Sequence, residues 1–366
     1  MKSSNFPVRI GFLLIGLTIL FFLSSCPSNS LLWMIEPSGM ARRVGHAEVI
    51  SISGFPAFTM IYAQDQESIS FPTGINDDTH ATVTTRFWMA QTQFTNAQAS
   101  AVLQWAYDNG KIVTTGDAHN EVNSTEVKYG GQRLVWFAGT HNRLNYDESS
   151  GNFTVKSGFE EHPLVEVTWY GAVMFCNWLT EMRDSQTDNL VYSNIDTSGW
   201  SHDDTEEDTT KNGYRLPSTY EWEYAARYLG TTEPLTGGDL DTERLYGNDN
   251  HDWTDGYYWT PGNYASGATA DYTDAAACRA VAVYSGSDPQ PETTKSVKTR
   301  APNLLSLYDM SGNVWEWCYT ASDTNRIRRG GGWYFHADSL QVGSWFFHNP
   351  GSSGSFLGFR LSRTAD

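Results

Sequence analysis

The chain has 366 residues, with 24 Lys and Arg against 42 Asp and Glu, a formal charge of −18. An acid excess of that size excludes nucleic acid and anionic lipid headgroups as natural partners, because both are polyanions. Fourteen Trp, 19 Tyr and 18 Phe exclude a disordered chain, which is poor in aromatic residues because it has no core to bury them in.

Residues 1–25 read as a signal peptide. Lys2 and Arg9 form a basic start, and 10–23 is a mostly apolar run, shorter than the roughly 20 residues that span a bilayer. Leu23-Ser24-Ser25-Cys26 resembles the bacterial lipobox, so Cys26 is the expected lipidation site. The membrane is then reached through acyl chains, each buried CH₂ adding about 0.8 kcal/mol. Pro27 follows Cys26 where an Asp would favour inner-membrane retention. By analogy with other lipoproteins, the expected location is the outer membrane or cell surface. Cleavage would leave 341 residues with 22 basic against 42 acidic. Residues 26–47 are expected to be a tether and 48–366 one large domain. Once Cys26 is acylated, Cys176, Cys278 and Cys318 remain, too few for a dense disulfide framework. Cys176 falls in an apolar helical pattern and is expected to be a buried thiol.

Residues 82–89 predict a strand from their β-branched and aromatic content. Thr95 with Gln98 three residues later predicts a capped helix, its apolar face formed by Val102, Leu103, Trp105 and Ala106 and its end marked by Asn109-Gly110. A second strand is predicted over 162–167 and a helix over 169–183. The acidic stretch 184–213 reads as an insertion loop. Ser218 and Glu221 then predict a third capped helix with Trp222, Ala225 and Ala226 facing inward. From 230 to 306 there is little periodicity, and irregular segments of such length are usually functional or tied down by bound ions.

Several blocks, in order, resemble the formylglycine-generating enzyme family, also called the sulfatase-modifying factor domain. They are Phe58-Thr59-Met60, Phe87-Trp88-Met89 with Asn96, and His162-Pro163-Leu164-Val165-Glu166-Val167-Thr168-Trp169. Then come Tyr214-Arg215-Leu216-Pro217-Ser218 with Glu221-Trp222-Glu223-Tyr224-Ala225-Ala226-Arg227, and Gly312-Asn313-Val314-Trp315-Glu316-Trp317. Arg329-Gly330-Gly331-Gly332-Trp333 and Gly358-Phe359-Arg360 close the set, which spans about residues 50–363. The resemblance implies an α+β C-type-lectin fold of the formylglycine-generating-enzyme type with little regular secondary structure. Those enzymes bind copper through two cysteines, and the matching positions here are Phe335 and Leu340. Thiolates are the ligands that select Cu(I), so the resemblance implies neither copper nor formylglycine formation. The family also holds structural calcium. The matching residues are Asp309, Gly312, Val314 and Glu316, with Asn263 and Tyr264 at a weaker second match. Carboxylates and turn carbonyls suit that hard ion. The alternative is that Asp309 and Glu316 only brace a turn and pair with an Arg.

Residues 326–363 form the last distinctive segment. From Trp333 to Phe359 it holds eight aromatics and two His, no Lys, Arg or Glu, and one Asp. Rigid aromatics spaced by Ser, Gly and Asn make the composition of a paratope. A core hairpin would alternate with period two, whereas Tyr334-Phe335-His336 and Trp345-Phe346-Phe347-His348 are consecutive bulky runs. The segment also resembles the variable region of lipoproteins diversified by retroelements. There, substitution at template adenines of AAC-type codons reaches Tyr, Phe, His, Asp, Ser, Asn and Gly. The expected ligand-binding positions are Tyr334, Phe335, His336, Asp338, Ser339, Ser344, Phe346, Phe347, His348, Asn349, Ser352, Ser355 and Phe356, all from that set. The expected framework includes Gly330, Gly331, Trp333, Ala337, Pro350, Gly358, Phe359 and Arg360. The expected function is a surface-displayed lipoprotein that binds an external protein or other macromolecule. An enzyme of other chemistry on the same scaffold, or a structural envelope lipoprotein, are the alternatives. The first would need convergent titratable groups in a pocket, and the second a flat, non-aromatic surface.

Overall fold

The computed structural model describes residues 43–230 and 258–365. The expected signal peptide, Cys26 and most of the tether lie outside the described residues. The tether ends before residue 47: Gly45 N donates to the Tyr62 carbonyl at 2.8 Å and Tyr62 N to the His46 carbonyl at 2.8 Å. Backbone pairing into a sheet thus begins a little earlier than composition suggests.

Five strands form the main sheet, in the order Ala47–Ile50, Phe58–Gln64, Phe87–Ala90, Ser362–Thr364, Tyr214–Arg215, and every neighbouring pair is antiparallel. The final strand therefore docks beside one of the first, which joins the two ends of the domain. The strand expected over 82–89 is two strands, Thr79–Val83 and Phe87–Ala90, in different sheets. Thr79–Val83 pairs locally with Ile69–Thr73, and the chain changes partners across 84–86. No strand forms over 162–167. Only isolated bridges occur there, at Pro163 and Val167, because Glu166 takes a left-handed φ of 59° that strands do not tolerate.

Helix α1 (Asn96–Asp108) has the reciprocal cap its sequence predicts. Thr95 Oγ1 accepts from Gln98 N at 3.3 Å, and Thr95 N donates to Gln98 Oε1 at 2.9 Å. Helix α2 (Trp169–Asp184) is buried at every position from Trp169 to Thr180, the mark of a helix enclosed on all sides. Its Cys176 is a buried free thiol. Helix α3 (Thr219–Arg227) carries the second capping box, where Glu221 also takes two 2.7 Å bonds from the buried Arg215. Trp222, Ala225 and Ala226 are fully buried, as expected. The 184–213 stretch is more ordered than a plain insertion, with a small hairpin pairing Tyr192–Ser193 to Glu206–Glu207.

A second sheet positions the C-terminal segment. Its order is Trp345–His348, Asn325–Arg329, Trp315–Ser322, Leu357–Gly358, which leaves Trp345–His348 at an edge. Arg328 lies opposite Phe346 on one side and Trp317 on the other.

Candidate recognition face

Apart from the edge strand Trp345–His348 and the short turn Ala337–Leu340, the segment 330–356 runs as loops hung from fixed hydrogen bonds. Gly330 and Gly331 take φ values of 98° and 76°. A Cβ on Gly331 would stand 2.7 Å from the Ser339 carbonyl oxygen, so no other residue fits that turn. Trp333 N donates to the Asn313 carbonyl at 2.8 Å, and its indole Nε1 donates to the Ser355 carbonyl at 2.9 Å. Arg329 donates to the carbonyls of Val342 and Ser344 at 3.3 and 3.1 Å. The 350–356 loop rests on the 162–169 block: Trp169 N donates to the Pro350 carbonyl at 3.0 Å and Glu166 N to the Gly354 carbonyl at 3.0 Å. Trp333 and Phe359 are buried framework, as expected.

On this support the aromatic side chains divide into two groups. Tyr334, Phe335 and Phe356 form one cluster, with ring centroids 4.5, 5.2 and 5.6 Å apart. His348 joins it 6.4 Å from Phe356, and Phe346 joins through Trp315 at 5.3 Å. Tyr334 is 42% exposed and Phe346 49%, whereas Phe335 and Phe356 lean half-buried on the core. Phe347, 56% exposed, and Trp345, 47% exposed, alternate with Phe346 and His348 along one strand, and alternate side chains project to opposite faces. The exposed rings among the expected ligand-binding positions are therefore divided between two faces, with Phe347 beside Trp345 across the edge strand.

The polar positions separate as well. His336, Asp338 and Asn349 are exposed, and Ser352 and Ser355 half-buried. Ser339 and Ser344 are buried, which removes them from the surface. The Ser339 hydroxyl instead donates to the His336 carbonyl at 2.7 Å, closing the short turn Ala337–Leu340.

At the centre of the larger cluster lies Arg328, which the sequence does not single out. Its guanidinium carbon is 4.6 Å from the Trp315 ring, 5.2 Å from Phe356, 5.8 Å from Phe335 and 5.9 Å from Phe346. Nε and Nη1 are sealed from solvent with no acceptor, and no carboxylate among the described residues pairs with them. Burial pushes the Arg328 pKa down to about 10. Burial, then Arg328, holds the His348 imidazole below its ordinary pKa, and burial raises Tyr334. Four rings offset part of the cost of this charge through their π faces. A buried charge without a hydrogen-bonding partner remains expensive. Only the register of Asn325–Arg329 against Trp345–His348 brings Arg328 under these rings, and a linear pattern does not carry register.

The residues matched to a calcium site do converge. The carbonyl oxygens of Asp309, Gly312 and Val314 and Oε1 of Glu316 all face one point, where Nε2 of the fully buried Gln93 sits 3.1, 3.3, 3.0 and 2.9 Å from them. Calcium needs six to eight oxygens at about 2.3–2.6 Å. With the carboxamide at the centre these residues do not fit the ion. At the weaker match, the carbonyl of Asn263 accepts from Tyr272 N at 3.0 Å and that of Tyr264 from Val342 N at 2.8 Å. A separate cleft of about 300 Å³ is lined by Thr59, Gln91, Thr95, Gln98, Glu161 and Lys298 among others. It holds one acid and one amine, and no residue of the C-terminal segment reaches it.

An antiparallel sheet joining both ends, helices with side-chain caps, and a C-terminal face built largely of loops define an α+β C-type-lectin scaffold of the formylglycine-generating type. The chain belongs to the family of the sulfatase-modifying factor enzyme 1-like domain, whose model matches residues 42–365. It is similar to the chaperone protein LppX of Paenibacillus barcinonensis, 31% identical over 205 residues, 51% of this chain and 65% of that one. It is also similar to the formylglycine-generating enzyme of Streptomyces coelicolor, 25% identical over 238 residues, 57% of this chain and 55% of the enzyme. The chain thus spans less than two thirds of either relative. Treponema denticola variable protein 1 shares the fold, with a TM-score of 0.53 and 21% identity over 87% of this chain and 99% of that one.

Proposed function

We propose that this chain is a surface-displayed lipoprotein that binds an external macromolecule through the face built on Arg328, Tyr334, Phe335, Phe346, His348 and Phe356. The observation that carries the reading is the unpaired Arg328 among rings that are partly open to solvent. A ligand that brings a carboxylate to Nη2, the one guanidinium nitrogen outside the sealed pair, and an apolar group to Tyr334 and Phe346 would give the cation a charged partner and cover the rings at once. Charge-assisted hydrogen bonds of that kind are the strong ones. Rings and small polar residues in loops on a rigid support are also how binding surfaces spread contact area at low entropy cost. Diversification at the exposed positions of the AAC-reachable set belongs to the same reading, since surface positions on a fixed frame accept change at little cost to the fold.

Formylglycine formation is not part of the proposal. The positions that the resemblance matches to the copper-holding cysteines carry Phe335 and Leu340, and Cys176, Cys278 and Cys318 are each buried and free.

Panning a displayed random-peptide library on the purified chain tests the binding reading. Enriched peptides are expected to carry Asp or Glu next to an apolar residue, and Arg328→Met is expected to lose that acidic preference. Enrichment of peptides without acids, equal on both proteins, contradicts it. The anchor is tested separately. Cys26→Ser is expected to abolish incorporation of a labelled lipid precursor, and label that persists removes Cys26 as the attachment point.

A further inference from the structure

We propose that in this chain the side-chain amide of Gln93 takes the place of a structural cation, so that the turn around 309–316 holds without metal. Four oxygens within 3.3 Å surround Gln93 Nε2, and an amide nitrogen has only two protons to share among them. The crowding is that of a cation cage, but the distances are those of hydrogen bonds. The charge of Glu316 is also settled internally. Glu316 takes bonds of 2.7 Å from Arg360 Nε and from Arg360 Nη2, and a third of 2.7 Å from Trp222 Nε1. No unbalanced carboxylate charge at Glu316 is left for a divalent ion to neutralise. Gln93 Oε1 is buried and has no donor. Exchanging the two ends of the amide would set that oxygen against four others, an arrangement only a cation could hold. The two orientations therefore predict opposite metal dependence.

The test compares melting of the full chain in EDTA and in excess calcium chloride, with elemental analysis of the protein. The wild type is expected to melt at the same temperature in both and to carry no stoichiometric calcium. Gln93→Glu puts an acid among the four oxygens. It is expected to melt several degrees lower in EDTA and to recover with calcium, because an ion that binds only the folded state stabilises it. Gln93→Met, which keeps the volume and removes the donor, is expected to melt lower whether or not calcium is present. Stoichiometric calcium in the wild type with a lower melting temperature in EDTA overturns the proposal. So does a Gln93→Met protein as stable as the wild type.

Discussion

Phe359→Ala is expected to cost about 3–5 kcal/mol of folding stability, the usual range for deleting a buried aromatic side chain. Phe359 has no exposed surface and stacks on Phe94 at 4.7 Å and on Phe175 at 6.0 Å. Its backbone carbonyl also accepts from Phe94 N at 2.9 Å. The ring thus locks the end of the chain onto the region between the main sheet and α1. Phe347→Ser, twelve residues earlier on an exposed edge strand, is expected to stay within about 0.5 kcal/mol. Urea titrations of the two variants separate framework from face within one segment. Equal losses would mean that the segment is uniformly core.

Arg360→Met is expected to cost about as much, 3–5 kcal/mol, because it strands a buried carboxylate. Both members of the Arg360–Glu316 pair have wholly buried side chains. Arg360 also donates to the carbonyls of Ala90 at 3.0 Å and Tyr308 at 2.8 Å. Without it, Glu316 keeps only the neutral donors Trp222 and Gln93. Adding Glu316→Gln to Arg360→Met removes the stranded charge, and the double variant is expected to be more stable than the single one. A single variant within about 1 kcal/mol of wild type in urea would show that Glu316 is not held as a charged group.

The parts of the fold that the sequence carries are local. Capping boxes at Thr95 and Ser218 are sentences of four residues, and their helices begin where those residues place them. Helix α2 follows the apolar run that predicts it, and its Cys176 is buried as that pattern implies. The errors come from long-range geometry. The 82–89 run has strand composition throughout, but a change of pairing partner divides it. At 162–167 a single left-handed residue, Glu166, defeats a β-branched stretch. On the recognition face, composition identifies the segment, and the bulky runs correctly imply outward rings. Which rings share a side depends on the strand register. Arg328 escapes notice because it precedes the aromatic runs and meets them only across the sheet. Trp345 escapes for a different reason, since its codon lies outside the AAC-reachable set. Gln93 carries no signal at all in one dimension, being more than two hundred residues from the oxygens it meets.

Recognition of a ligand by the Arg328 face is measured by the affinity of a peptide selected on the wild type. Titrating that peptide against the wild type and against Tyr334→Ser/Phe346→Ser, with melting curves recorded on both, gives the comparison. At least a tenfold rise in Kd is expected, about 1.4 kcal/mol, with the melting temperature changed by no more than a degree or two. Unchanged affinity in a variant that remains folded would contradict it.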